Sequence, residues 1–283
     1  MYSASPDNNH SNKGTARSLA RWAPAPLVTG SAVLHAGALA FAMAWPDIWV
    51  QAAGAVAVNH ALLTATVLWP RSQLLGPNWS RLPTAAAARG EIAITIDDGP
   101  DPDVTPQVLE ILDRYGVRAT FFCIAARAAM HPELCCEIVR RGHAVENHSH
   151  AHRYYFPLLG MAALTRELQA AQYTLTEITG QAPVFFRAPA GLRSPLLDPV
   201  LARMGLRLAS WTKRGFDTRR ADADRVTASL LRNLHGGDIL LLHDGNAQRT
   251  STGRAVVVEV LPRVLDAIQR AQLRPVTLRS LIV

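Results

Sequence analysis

The chain has 283 residues, 49% hydrophobic and 18% charged, enough for one large domain or two small ones with apolar sequence to spare. The formal charge is +7 and the excess is almost all arginine, yet no basic stripe interleaved with aromatics occurs, which removes nucleic acid from the candidate partners. Cys123, Cys135 and Cys136 are odd in number and lack a Cys-x-x-Cys spacing, so they read as buried free thiols of a reducing compartment.

After an N-terminal tail, 1–25, come two uncharged runs, 26–45 and 51–69, each of about the 20 residues a bilayer core requires. Trp45, Trp49 and Trp69 stand at their ends, where interfacial aromatics belong. A membrane hairpin over 26–70 is the expectation; the alternative is an Ala-rich helical pair packed on a soluble domain. A cleaved signal peptide fits poorly, since there are two runs and the first starts late. Lys13, Arg17 and Arg21 precede the first run, Arg71, Arg81 and Arg89 follow the second, and the connection carries only Asp47. Positive flanks favour the cytoplasm, so both ends and the soluble part are expected there. If only one run spans, the soluble part moves to the periplasm.

Residues 71–90 read as a linker, with Pro77, Pro83 and an alanine run. From 91 onward strands and helices alternate. Strands are predicted at 91–96, 117–123, 143–146, 184–187, 207–211, 238–242 and 275–278. Helices are predicted at 104–114, 131–141, 161–179, 195–204, 222–235 and 254–271. Pro106, Pro132 and Pro195 sit near helix starts, and Gly116, Gly142, Gly180 and Gly205 just past helix ends. Such regular alternation implies a parallel sheet, open or closed into a barrel, with chemistry on the loops that follow the strands.

The polar residues that follow those strands carry the functional signal. Asp97 and Asp98 close the first strand and precede Gly99-Pro100. Adjacent carboxylates repel, so one needs a cation or a proton to share the site; alone, the four residues could equally be a turn. His148 and His152 are four apart, which on a helical turn puts both imidazoles on one face, with His150 pointing elsewhere. Two histidines and one carboxylate make a common open catalytic metal triad. Arg187 ends the fourth strand, Trp211 and Asp217 follow the fifth, and His243 and Asp244 follow the sixth. His143 reads as structural.

Taken together these segments resemble the polysaccharide deacetylases of the NodB-homology type, carbohydrate esterase family 4. Thr95 to Pro100 match the family's Thr-Phe-Asp-Asp-Gly-Pro, with Ile96 for Phe; His148 to His152 match His-Ser-x-x-His; Arg187 to Gly191 match Arg-x-Pro-x-Gly. Trp211 with Arg214-Gly215-Phe216-Asp217, and Leu240 to Asp244, match the fourth and fifth motifs. The resemblance covers 91–280 and says nothing of the hairpin. One departure is Ala190, where the family often has an aromatic.

The resemblance implies an α/β fold, a distorted (β/α)7-type barrel over 91–283. It implies that Asp98, His148 and His152 hold one divalent metal ion, zinc first, with Co2+, Ni2+ or Mn2+ as alternatives. Asp97 would be the general base, oriented by Arg187, and His243 the general acid, paired with Asp217. Trp211 and Leu241 would line the acyl pocket, and the N–H of Ala190 would face the oxyanion. The expected activity is metal-dependent hydrolysis of the N-acyl amide, acetyl or formyl, of an amino sugar in a polysaccharide, peptidoglycan or lipid-linked glycan. Expected partners are that glycan and, through the hairpin, the lipid of a bacterial inner membrane. The alternatives are a non-catalytic carbohydrate-binding protein on the same fold, and an ester hydrolase using the same triad.

Overall fold

The computed structural model describes residues 22–282. Lys13, Arg17 and Arg21, with most of the expected tail, lie outside the described residues. Two long helices, α1 (Pro26–Ala44) and α2 (Trp49–Val67), are joined by a short 3-10 turn, Pro46–Ile48. Both are apolar and long enough to cross a membrane. They pack on each other through polar groups: Asn59 Nδ2 donates to Ser31 Oγ at 2.7 Å, and His35 and His60 bring their Nε2 atoms to 3.2 Å. Val33, Leu39, Phe41, Met43, Val50, Val58 and Leu62 face outward.

The remaining elements are α3 (Thr84–Ala88), β1 (Glu91–Asp97), α4 (Thr105–Arg114), β2 (Thr120–Cys123), α5 (Ala125–Met130), α6 (Pro132–Arg140) and β3 (Ala144–Asn147). They continue as α7 (Met161–Thr179), β4 (Phe185–Phe186), α8 (Leu197–Met204), β5 (Arg207–Leu208), β6 (Lys213–Arg214), α9 (Ala223–Leu231), β7 (Ile239–His243), α10 (Val256–Arg270) and β8 (Arg274–Pro275). Every strand pair is parallel, in the order β5-β4-β3-β2-β1-β7-β6, with β8 beside the start of β1. The parallel sheet is the α/β arrangement that the resemblance implies. It has one strand more than expected: the predicted 207–211 stops at Leu208, and Lys213–Arg214 pairs separately with β7. Helix α5 was also not foreseen; six residues give too little periodicity to read.

Strand alternation divides the interior in two. Ile92, Ile94, Ile96, Phe121, Leu240 and Leu242 pack against the surrounding helices. Ala93, Phe122, Ile239 and Leu241 turn to the concave side, with Trp211. Residues 79–82 bridge the open side of the curl. Trp79 N donates to Leu208 O and its carbonyl accepts from Ser210 N, Thr212 Oγ1 donates to Ser80 O, and Leu82 N donates to Gly237 O. The stretch read as a linker therefore buries Leu75, Leu82 and Ala86 against the sheet domain. Among the cysteines, Cys123 and Cys135 are buried but Cys136 is exposed, because neighbouring residues on α6 point in different directions. His143 is buried and accepts from Ala119 N at 3.1 Å, a structural contact.

Candidate active site

The register of the sheet levels the strand ends. Asp97 lies opposite His243 on β7 and Phe122 on β2; Cys123 lies opposite Asn147, and Asn147 opposite Phe186. Asp98, His148 and Arg187 are the next residues of their strands, so they emerge at one rim beside His243. Thr95, Asp97, Leu241 and His243 alternate with core residues and therefore face the concave side.

At that rim Asp98 Oδ1 lies 3.2 Å from His148 Nε2 and 3.2 Å from His152 Nε2. The three potential ligand atoms lie within 4.8 Å of one another. Asp98 Oδ1 is buried and has no hydrogen-bond donor. His148 Nδ1 sits 2.8 Å from the Arg187 carbonyl, so it carries the proton and leaves the Nε2 lone pair facing Asp98. Two imidazole nitrogens and an orphaned carboxylate oxygen fit a divalent cation of the zinc type. Burial works against ionised Asp98, but the neighbouring imidazoles of His148, His243 and His152 hold its carboxyl well below the usual range. Burial, then the neighbouring His148, lowers His152 from its ordinary value.

The backbone around these groups is unusual. Asp98, Ser149 and His152 have φ of 74°, 66° and 48°, a left-handed conformation that costs non-glycine residues about 1–3 kcal/mol each. Residues 148–152 form an irregular loop, not the expected helical turn. Local hydrogen bonds replace the helical ones: Ser149 N donates to Asn147 Oδ1, His152 N to Ser149 Oγ, and the first amides of α5 to the carbonyls of Ser149 and His150. His150 stays outside the cluster.

Asp97 and His243 flank it. Arg187 is fully buried and donates to Asp97 Oδ1 at 2.6 Å, Thr95 Oγ1 at 2.8 Å and Ser210 O at 2.7 Å, over the Phe122 ring at 4.1 Å. Burial lowers the Arg187 pKa, and the Asp97 charge works to retain the proton. His243 Nδ1 lies 2.8 Å from Asp217 Oδ1, and Asp217 Oδ2 accepts from the His243 amide at 2.7 Å. Burial alone would depress the imidazole; Asp217, then Asp97 and Asp98, overcome this and raise its pKa to about 9.

These groups open on one cleft of about 220 Å³. Asp97, Asp98, His148, His152, Ala190, Trp211, Leu241 and His243 all line it. Arg187 and Asp217 stand behind Asp97 and His243. Ala190 adopts φ 53°, which turns the short 3-10 segment Pro189–Gly191 along the cleft wall. Asp244 does not line it: buried, with its pKa pushed up to about 7 by that burial, it accepts from Thr105 Oγ1 and ties the loop after β1 to α4.

Two residues were missed in the sequence. Asn246 Nδ2 donates to Asp98 Oδ2 at 3.0 Å, and Arg127 donates to the Asp98 carbonyl and to Asn246 Oδ1. Asn246 was findable, three residues past His243 on the same rim loop. Arg127, on the unforeseen α5, gave no signal.

Comparison with known proteins agrees with this geometry. The polysaccharide deacetylase family model matches residues 85–209. A peptidoglycan-N-acetylglucosamine deacetylase of Bacillus cereus is 32% identical over 193 residues, covering 68% of this chain and 87% of the relative. A chitooligosaccharide deacetylase of Bradyrhizobium is 34% identical over 189 residues, covering 63% and 84%. Among solved structures, the family 4 carbohydrate esterase of Streptomyces lividans in complex with acetate superposes with a TM-score of 0.60 at 30% identity, over 66% of this chain and 91% of that one. The chain belongs to the polysaccharide deacetylase family, carbohydrate esterase family 4, and is a hydrolase of N-acetyl amide bonds.

Proposed function

We propose that this chain removes acetyl groups from N-acetylated amino sugars of a glycan at a membrane surface, with Asp97 as general base and His243 as general acid. The reading rests above all on one observation: an acid held by Arg187 and an imidazole held by Asp217 flank the Asp98–His148–His152 cluster within one cleft. The names of the Bacillus and Bradyrhizobium relatives support an amino-sugar polymer or oligomer as substrate.

Asp98, His148 and His152 would hold the divalent cation, zinc by the chemistry of the donor set. Bound there, the ion supplies Lewis acidity to the amide carbonyl and to water. Arg187 engages Asp97 through Oδ1, which leaves Oδ2 to accept a proton from the attacking water. The Ala190 N–H donates to the carbonyl oxygen as negative charge develops. His243, proton-loaded at neutral pH, gives a proton to the departing amine from the other flank; an amide nitrogen leaves poorly without it. Trp211 and Leu241 exclude water around the acyl methyl.

The hairpin supports the membrane part of the reading. Its polar side chains meet across the helix pair while its apolar ones face out, the reverse of a helix pair in water. Arg71, Arg81 and Arg89 after α2 favour a cytoplasmic catalytic domain in a bacterial inner membrane. A C-terminal phosphatase fusion that is active only when exported would place the domain in the periplasm instead. Function is tested by acetate release from N-acetylglucosamine oligomers with purified full-length protein. Release that stops on metal chelation and returns with Zn2+ is expected; chelator-resistant release, or none from the metal-loaded protein, refutes the reading.

A further inference from the structure

Both ends of the hairpin contact the sheet domain, and the end that follows α2 stands at the catalytic cleft. Trp22, just before α1, donates from Nε1 to Asp198 Oδ2 at 2.8 Å. Pro70, just after α2, wedges against Gly191 and Trp211: a Cβ on Gly191 would come within 2.7 Å of Pro70 and 2.5 Å of Trp211. Arg71 then reaches the Thr212 carbonyl at 3.4 Å. The chain thus leaves the apolar helix directly onto the wall of the active site.

A second cleft, of about 460 Å³, opens at this junction, lined by Trp69, Arg71, Lys213, Arg214, Phe216 and Arg232. It shares Trp211 and Arg214 with the catalytic cleft. Its charge is one-sided. Among the described residues, no carboxylate lies within ion-pair distance of Arg71, Arg214 or Arg232. Lys213 Nζ is spoken for, by the carbonyls of Arg232 and Asn233 and by Asp238 at 3.8 Å. Arg214 is held in place between the rings of Trp211 at 5.2 Å and Phe216 at 5.1 Å, with a buried Nε that has no acceptor. Asp217, Asp97 and Asp98 act on Arg214 only from beyond ion-pair distance, so a ligand with several phosphate oxygens would supply the three guanidinium groups with direct charge-assisted hydrogen bonds.

We propose that this cleft binds the phosphate or diphosphate of a lipid carrier to which the amino sugar is attached. This rests on the amide-hydrolase reading of the neighbouring cleft and names the substrate class more closely. In a sugar of that kind the acetamido group sits on the carbon next to the one that bears the phosphate. Anion and amide would therefore occupy adjoining clefts of one site, as the shared Trp211 and Arg214 require. Trp69 and the end of α2 lie where the carrier's hydrocarbon tail would enter the bilayer.

The test uses the full chain in phosphatidylcholine nanodiscs. Two substrates are compared: N-acetylglucosaminyl diphosphofarnesol and the phosphate-free N-acetylglucosamine tetramer. Wild type should favour the diphosphate. The double variant Arg71→Gln/Arg232→Gln should raise KM for the diphosphate by about ten-fold more than for the tetramer, with kcat retained. Equal loss on both substrates, or no preference in wild type, overturns the proposal. Activity on the tetramer alone also overturns it while leaving the deacetylase reading intact; inactivity on both sinks the two together. Binding of farnesyl diphosphate to the Asp97→Asn variant, weakened by the double change, supports the cleft independently of turnover. Displacement of that probe by phosphatidylglycerol at equal mole fraction would assign the cleft to bulk headgroups and refute a dedicated carrier site.

Discussion

Replacing Asp217 by Asn isolates the charge that keeps His243 protonated. The pair is buried, with side-chain exposures of 7% and 0% and a separation of 2.8 Å. Burial pushes the imidazole down; the Asp217 charge is the largest influence pushing it up, to about 9 from 6.5. Without that charge His243 should titrate at or below the ordinary histidine value. At pH 8 the protonated fraction would fall from about 0.9 to about 0.03, roughly a 30-fold loss of competent enzyme, against less than about two-fold at pH 6. The assay is kcat/KM for acetate release against pH, on metal-loaded wild type and Asp217→Asn. The basic limb of the variant should move down by about two pH units. The same linkage has a stability sign: the folded-state pKa is raised, so this pair stabilises the fold fully below pH 6.5, and the contribution is lost as pH rises through about 9. A variant whose basic limb coincides with that of wild type, or whose loss is the same at every pH, would refute His243 as the proton donor charged by Asp217.

Three further perturbations probe the rest of the site. Asp97→Asn should cut kcat by about 10²–10⁴-fold while the metal content per chain, measured by elemental analysis, stays that of wild type; loss of metal would make Asp97 a ligand instead of a base. Asn246→Ala removes the 3.0 Å hydrogen bond to Asp98 Oδ2 and should weaken metal binding about 10–100-fold by calorimetric titration, with the thermal transition of the metal-free protein unchanged. Gly191→Ala places a methyl 2.5 Å from Trp211 and 2.7 Å from Pro70 at φ 74°, and should destabilise the protein by about 1–3 kcal/mol in denaturant titration and lower activity by displacing Trp211; a neutral substitution would show that Pro70 does not press on the cleft.

Much of this was legible because parallel β/α folds put function in a fixed place along the chain. A residue that directly follows a strand emerges at the carboxyl rim, so Asp98, His148 and Arg187 could be assembled by reading strand ends. Helix α7 was found at its observed bounds, Met161–Thr179, because Gly180 takes the left-handed φ of 67° that ends it. The loop 148–152 was misread because spacing alone cannot tell a helical turn from a loop held by Asn147 and Ser149 side chains.

The sequence by itself determined the strand and helix alternation, the apolar pair at the N-terminus and the residue types at the rim. Each of these depends on neighbours a few positions away. Tertiary structure alone decided the level register that sets Asp97 against His243, the Arg127–Asn246 support of Asp98, the 79–82 bridge across the open curl and the arrival of Pro70 at Gly191. Those contacts join segments roughly 120 to 155 residues apart, about half the chain. They form because burying one continuous core fixes where each strand ends, and nothing local in the chain encodes that meeting.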